Sequence, residues 1–297
     1  MLSGILLLDK PEGLSSNAAL QRVKRLLGAS KAGHVGSLDP LATGMLPICL
    51  GEATKVAGEI VAGRKRYAFD LTLGSRTDTG DREGAVIETA PVPALDCAAV
   101  VRALAAFHGR LLQVPPMYSA IKRGGQPLYR LARAGIEVER AAREIEIDAL
   151  SLTALRGAVA SFEARTSKGT YIRVLGEDIA RALGTCGHVT RLRRLCVSPF
   201  EHEPMQGLEE VRAVCRAGGL PRLIAADRAL DALPPLNLPQ AAAQRICNGQ
   251  AVAAPGLASG RVRLYDESRR FLGLGEADGR GTVRPKRMFL VGEGGSG

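Results

Sequence analysis

Asp39 is the side chain best placed to do chemistry. It lies in GHVGSLDPLATGMLPICLGEATK, residues 33–55, flanked by Gly33, Gly36, Gly44, Pro40 and Pro47. Pro40 removes an N–H and biases Asp39 away from helical backbone, while the glycines allow conformations closed to other residues. A loop so restricted displays its carboxylate instead of filling a core. A displayed carboxylate can act as nucleophile or general base, although an Asp-Pro pair also makes ordinary turns. The loop alone therefore suggests a reaction centre without naming a reaction. Asp78 and Asp81 in RTDTGD, residues 76–81, offer a DxxD spacing, but hard-cation loops supply more oxygen ligands than this, and no metal is expected. The chain carries no GxGxxG after a strand, no GK[ST] phosphate loop and no zinc-type Cys/His spacing, so no cofactor is expected.

Three further stretches could face such a loop. In RKRYAFDLTL, residues 64–73, Tyr67, Phe69, Leu71 and Leu73 alternate with polar residues, which predicts a strand with Tyr67 on its apolar face. In SKGTYIR, residues 167–173, Arg173 precedes a helix expected over 174–183 and stopped by Gly184, and Tyr171 shares its face if the segment is extended. Read alone, Arg173 is a surface charge and Tyr67 a core residue. HVTRLRRL, residues 188–195, holds three arginines that suit a solvated edge as well as phosphate contact.

The elements that must position these residues follow from periodicity. Residues 5–8 form an apolar run ending in DKPEG, a short buried strand entering a turn. Ser15 or Ser16 caps a helix with Leu20, Val23 and Leu27 on one face and Arg22, Lys24 and Arg25 on the other. Short helices are expected over 52–61 and 96–107, strands over 143–152 and 158–166, and a helical stretch over 208–230. Residues 115–140, with Pro115, Pro116, Gly124-Gly125 and interspersed Arg, Lys and Tyr, read as a protruding lobe. Pro234, Pro235 and Pro239 mark a boundary. The expected organisation is a large unit, 1–232, and a small β-rich unit, 233–297, with strands near 261–265, 271–275 and 282–290 and a short tail at 294–297 expected to be disordered.

Of 297 residues, 46% are hydrophobic and 24% charged, the composition of a globular protein. The net charge of +10 favours a polyanionic partner, nucleic acid or an anionic membrane surface. No apolar run approaches the roughly 20 residues that span a bilayer, and no signal peptide is apparent, so a cytoplasmic location is expected. Six scattered cysteines without a CxxC suit a reducing compartment.

The loop SLDPLATGMLP, together with KRY at 65–67, SKGTYIR at 167–173 and the block 188–195, resembles the bacterial tRNA pseudouridine synthases that modify uridine 55 of the T arm, the TruB family. The resemblance runs over almost the whole chain. It implies an α+β pseudouridine synthase fold with a mixed, mainly antiparallel sheet, an RNA-gripping insertion at 115–140 and a PUA-like RNA-binding domain. It implies Asp39, Tyr67 and Arg173 as catalytic residues: the carboxylate, a ring to stack on the flipped base, and a guanidinium that pairs bidentately with Asp39 and keeps it ionised. It places His34, Tyr171, Leu192 and Lys10 at the substrate, Lys10 within a Lys-Pro pair that supports the loop. The implied partner is tRNA, with no membrane, no obligatory protein partner and a monomeric state. The route taken by Asp39 stays open between attack at C1′, addition to the ring and a glycal. Alternatives are a tRNA-binding or folding factor without catalysis and a guide-RNA-dependent synthase.

Overall fold

The computed structural model describes residues 2–289; the tail at 294–297 and the end of the last expected strand, residue 290, lie outside them. Among the described residues the chain builds a nine-stranded mixed sheet. Across it run Gln206–Gly207, Gly4–Lys10, Thr43–Leu50, Gly187–Val197, Lys65–Leu73, Val159–Thr166, Arg143–Arg156 and Gly109–Gln113, with Ala32–His34 also paired to Thr43–Leu50. Two pairings are parallel, Gly4–Lys10 with Gln206–Gly207 and Thr43–Leu50 with Gly187–Val197, and the rest are antiparallel.

The apolar run at 5–8 has no alternation because both of its faces are covered. Leu6 and Leu8 point into the main core, and Ile5 and Leu7 into a second one behind the sheet. In front, the helices Ser16–Leu26, Cys97–Leu104 and Ile172–Ala182 pack Val23, Val100, Leu104, Leu175 and Ile179 against Phe69, Leu71 and Phe162. Ser15 caps the first helix by accepting from the Ala18 N–H at 3.1 Å, and Asp96 caps the second by accepting from Ala99 at 2.6 Å. Strand Lys65–Leu73 alternates as its sequence predicts, with Tyr67, Phe69, Leu71 and Leu73 inward. Its outward residues make solvent-facing ion pairs, Arg66 with Glu163 at 2.5 Å and Asp70 with Arg191 at 3.5 Å, a class of contact worth about 0.2–1 kcal/mol each.

The helical stretch expected over 208–230 is interrupted. Helix Leu208–Arg216 ends at Gly218, which sits at φ +77° and donates to Cys215, and a 3-10 turn, Ala226–Leu230, follows only after Pro221. Gly218, Gly219 and Pro221 together stop a helix that apolar periodicity would continue.

Residues beyond 234 form a five-stranded sheet in the order Pro235–Asn237, Gly260–Tyr265, Phe271–Ala277, Thr282–Met288, Val252–Ala253, with the helix Gln240–Cys247 against it. Leu238, Ile246, Val262, Leu264 and Val283 make its own core. Leu274, however, belongs to the cluster behind the large sheet with Ile5, Leu7, Met45 and Ile60. Lys55 donates to the Met288 carbonyl at 2.7 Å and Arg287 donates to the Lys55 carbonyl at 2.7 Å. The small sheet therefore packs against the rear of the large sheet. Truncation after residue 236 is expected to lower the thermal midpoint of the remaining chain, because it uncovers Ile5, Leu7 and Ile60; scanning calorimetry of the two lengths checks this.

The tightest backbone contact lies where Thr43–Leu50 meets Gly187–Val197. Gly44 has φ +98°, and a Cβ there would stand 2.1 Å from the Arg194 carbonyl oxygen. Gly44→Ala combines about 1–3 kcal/mol of backbone strain with an overpacking cost of about 1–3 kcal/mol. Gly28→Ala, at φ +56° with nothing within 4 Å of its added Cβ, carries only the strain. Urea unfolding should rank Gly44→Ala as the more destabilising of the two; equal losses would show that the strand contact relaxes.

Candidate active site

The loop between Ala32–His34 and Thr43–Leu50 is held at alternate residues. Arg194, fully buried, donates from Nη2 to the Gly36 carbonyl at 2.8 Å and from Nε to the Met45 carbonyl at 2.7 Å. Gly36 lies at φ +68° with the guanidinium where a side chain would begin. Ser16, in the first turn of the first helix, accepts from the Leu38 N–H at 2.7 Å and donates to its carbonyl at 3.0 Å. The Pro40 carbonyl accepts from the Gly13 N–H at 2.8 Å and from Lys10 Nζ at 3.3 Å. With Gly36, Leu38 and Pro40 anchored, Asp39 projects into a cleft of about 360 Å³ that Tyr67, Ser119, Tyr171, Arg173 and Leu192 also line.

Arg173 arrives from the opposite side, in the first turn of helix Ile172–Ala182. Its side chain is only 4% exposed, against 40% for Asp39 at the cleft floor, and its Nε stands 2.9 Å from Asp39 Oδ2. The contact is not the bidentate fork that the resemblance implies. Nη1 donates to the Thr79 carbonyl and Nη2 to the Tyr118 carbonyl, both at 2.7 Å, so the guanidinium's fork is committed to main chain and only its Nε edge meets the carboxylate. A second carboxylate shares that edge: Asp81 Oδ2 lies 3.6 Å from Nε, with its side chain 5% exposed. Its Oδ1 accepts from Thr79 Oγ1 at 2.7 Å and from the Glu83 N–H at 3.0 Å. A cation at a helix N-terminus opposes the helix dipole, and two carboxylates offset that.

The electrostatic balance departs from the expectation that Arg173 simply keeps Asp39 ionised. Loss of water around the carboxyl raises its pKa above the ordinary aspartate value; the Arg173 charge and hydrogen bond and the Lys10 charge pull it down, and the Asp81 charge pushes it up. Desolvation prevails. Asp39 therefore gives up its proton less readily than a free aspartate, and Arg173 limits the rise.

Tyr67 and Leu192 stand on neighbouring strands and face the cleft from below, both nearly buried. Tyr171 and Arg173 do not share the face of an extended segment. Tyr171 is the residue before the helix, at φ −98°, ψ 110°, and reaches the cleft from the turn. Burial raises its phenol pKa. Two residues that the resemblance places at the substrate do not line this cleft. Lys10 is fully buried and its ammonium donates to the Pro11, Leu14 and Pro40 carbonyls at 2.9, 2.6 and 3.3 Å; it supports the loop from beneath, with its pKa lowered to about 8 by burial. His34 ends the strand Ala32–His34 outside the lining, half-buried, its pKa lowered by burial and by Arg194.

Sequence reasoning missed the site roles of Asp81, Ser16 and Arg194, and of Gln113, whose side-chain amide hydrogen-bonds the Tyr171 main chain. For Arg194 a signal existed: period-two alternation from Leu192 puts it on the inward face. Ser16 and Gln113 act through main-chain atoms distant in sequence and leave no local pattern. The charges around Asp39 have definite signs. In a carbon-detected NMR titration, Arg173→Gln should raise the Asp39 pKa and Asp81→Asn should lower it; the opposite order would overturn the balance described above.

Comparison with known proteins follows the same lines. The family profile "TruB family pseudouridylate synthase (N terminal domain)" matches residues 24–172, "tRNA pseudouridylate synthase B C-terminal domain" matches 173–226, and "Pseudouridine synthase II TruB, C-terminal" matches 234–289. A protein of Aromatoleum aromaticum named tRNA pseudouridine synthase B is 50% identical over 291 residues, covering 97% of this chain and 93% of its own. Relatives of the same name from Vibrio cholerae, 46% identical over 99% of this chain and 97% of their own, and Burkholderia mallei, 47% identical over 98% of each, extend the match. In three dimensions the chain is similar to an H/ACA ribonucleoprotein bound to a substrate RNA containing 2′-deoxyuridine, with a TM-score of 0.74, 21% identity and coverage of 97% and 85%. It is also similar to an archaeal box H/ACA Nop10–Cbf5 complex, with a TM-score of 0.72, 22% identity and coverage of 97% and 86%. At those identities the structures speak for the fold, and the sequence relatives speak for descent. With its sheet, its loop and its C-terminal module all accounted for, the chain belongs to the TruB family of pseudouridylate synthases.

Proposed function

We propose that this enzyme isomerises uridine to pseudouridine in tRNA, at position 55 of the T arm. The observation that carries the reading is a single carboxylate, Asp39, fixed by anchored main chain on both sides and opening beside Tyr67 and Leu192. The reaction breaks the bond from N1 to C1′, turns the uracil, and joins C5 to C1′, with the C5 proton released and one gained at N1. No electrons and no group donor enter. Each route from uridine requires an ionised carboxylate near the sugar or ring, and Asp39 supplies it.

The base must leave its stack to reach the cleft, at a cost of a few kcal/mol. The Tyr67 ring offers a replacement surface and Leu192 an apolar neighbour. Arg173, held by Thr79 and Tyr118, orients the carboxylate with one charge-assisted contact. The tRNA substrate is supported by the names of the relatives, its T-arm position by the resemblance of the loop SLDPLATGMLP, and the basic lobe at 115–140 offers the surface to grip it. His34, beside the cleft and not in its lining, is assigned here to the space the flipped base vacates, and Lys10 acts through the loop.

Asp39→Asn should abolish tritium release from C5-labelled uridine in tRNA and leave tRNA affinity within about threefold, since the amide keeps the shape and loses the charge. Turnover by that variant would refute Asp39, and wild-type binding without turnover would favour the RNA-folding alternative. The pH dependence has a sign. As pH falls through the raised Asp39 pKa the carboxylate is protonated and the single-turnover rate drops, so the acid limb lies above the ordinary aspartate range. A limb at or below that range would place the essential group elsewhere. Activity on bare transcript, without added RNA or protein, separates a stand-alone enzyme from a guide-dependent one.

A further inference from the structure

The helix that carries Arg173 begins without a side-chain cap. Tyr171 precedes its first residue, and a phenol cannot fold back onto the first-turn N–H groups as a Ser or Asp would. The main chain of Tyr171 is instead held from another element. Gln113, the last residue of the edge strand Gly109–Gln113, accepts from the Tyr171 N–H through Oε1 at 2.8 Å and donates through Nε2 to the Tyr171 carbonyl at 3.1 Å. Its side chain is buried, although the strand around it is largely exposed. Five residues on, the Tyr118 carbonyl accepts from Arg173 Nη2 at 2.7 Å. The segment 113–118 thus grips the start of this helix twice, once through its backbone and once through the guanidinium.

We propose that Gln113 is a positioning residue for the reaction: its amide sets the Tyr171 main chain, and through it the place of Arg173 Nε against Asp39. The inference rests on the reading of Asp39 as the reacting carboxylate. Only a neutral amide fits the task. It donates and accepts side by side, matching one N–H and one C=O of the same residue. A carboxylate at this position would face the Tyr171 carbonyl with no proton to give, and it would add a third negative charge near Arg173. An apolar side chain would leave the Tyr171 N–H without its partner and the Tyr171 carbonyl with only the helical Leu175 N–H at 3.0 Å. The grip also explains why Arg173 reaches Asp39 with one edge only. The helix start is set by Gln113, and the fork is spent on carbonyls 79 and 118.

Gln113→Met keeps volume and removes both hydrogen bonds. In single-turnover assays on full-length protein and T-arm RNA, it should slow the chemical step by about 10²-fold, the scale of a misplacement near 1 Å, while RNA affinity changes by less than about threefold on that same argument. Because Arg173 then lowers the Asp39 pKa less, the acid limb of the rate should move to higher pH. A residue that merely held the fold would reduce the folded fraction and leave the limb of the remaining protein in place. Combining Gln113→Met with Arg173→Lys should cost less than the product of the separate losses, since both act on one contact. A wild-type rate, or an unmoved limb, in Gln113→Met overturns the proposal. Should that variant not fold, Gln113→Leu repeats the test, and failure of both to fold shows a structural role and also overturns it. Wild-type and Asp39→Asn proteins run alongside: an inactive wild type, or an active Asp39→Asn, would refute the underlying reading, whereas an inactive Asp39→Asn beside an unaffected Gln113→Met refutes only the role of Gln113.

Discussion

Where Asp39 points is decided by the anchoring of its neighbours, and much of the structure serves that anchoring. Arg194 holds Gly36, Ser16 holds Leu38, and Gly13 with Lys10 holds Pro40. These groups come from the central strand of the sheet, from the first helix, and from the end of the first strand with the turn after it. The loop is therefore placed by three elements that the sheet already fixes relative to one another. Arg194 contributes twice, since its own carbonyl oxygen fills the space beside Gly44 while its guanidinium fills the space beside Gly36. Rigid main chain with one free side chain is what a reacting carboxylate needs, because orientation is then settled before substrate arrives.

The influences on that carboxylate oppose one another, with desolvation prevailing. One guanidinium faces two carboxylates, with desolvation opposing the ionised form of Asp39 and Arg173 opposing desolvation. Such a balance leaves the pKa responsive to any movement of Arg173. It also gives the main-chain bonds to Thr79 and Tyr118 a purpose beyond satisfying donors, since they keep the guanidinium from turning its fork toward either acid. A simple buried ion pair would be less sensitive and less tunable.

The remaining architecture supports these two arrangements from outside. The small C-terminal sheet is attached to the 3-10 helix Gly51–Val56 that follows the loop strand, through Lys55, Arg287 and the apolar contact of Leu274, so it covers the rear of the sheet. On the other side, the lobe at 115–140 leaves the sheet beyond Gln113, beside the helix that carries Arg173. The lobe is thereby joined directly to Arg173, whose Nη2 donates to the Tyr118 carbonyl.

The amino-acid sequence by itself determined most of the elements and singled out Asp39 as a displayed carboxylate. Alternation exposed the strand holding Tyr67, caps exposed the first helix, and the constraint of glycines and prolines around Asp39 marked a displayed side chain, because these are local consequences of backbone sterics and of one-sided burial. The helix interrupted at Gly218 was readable too, had its glycines and proline been weighed above apolar spacing. Tertiary structure alone decided which groups meet. Asp81 joins Arg173 across more than 90 residues, Ser16 reaches Leu38, Gln113 reaches Tyr171, and Lys10 turns beneath the loop instead of into the cleft. The guanidinium's one-edged contact was equally invisible, because it depends on two carbonyls supplied by distant turns. Hydrogen bonds between side chains and remote main chain carry no periodicity and no motif, so only the folded chain reveals them.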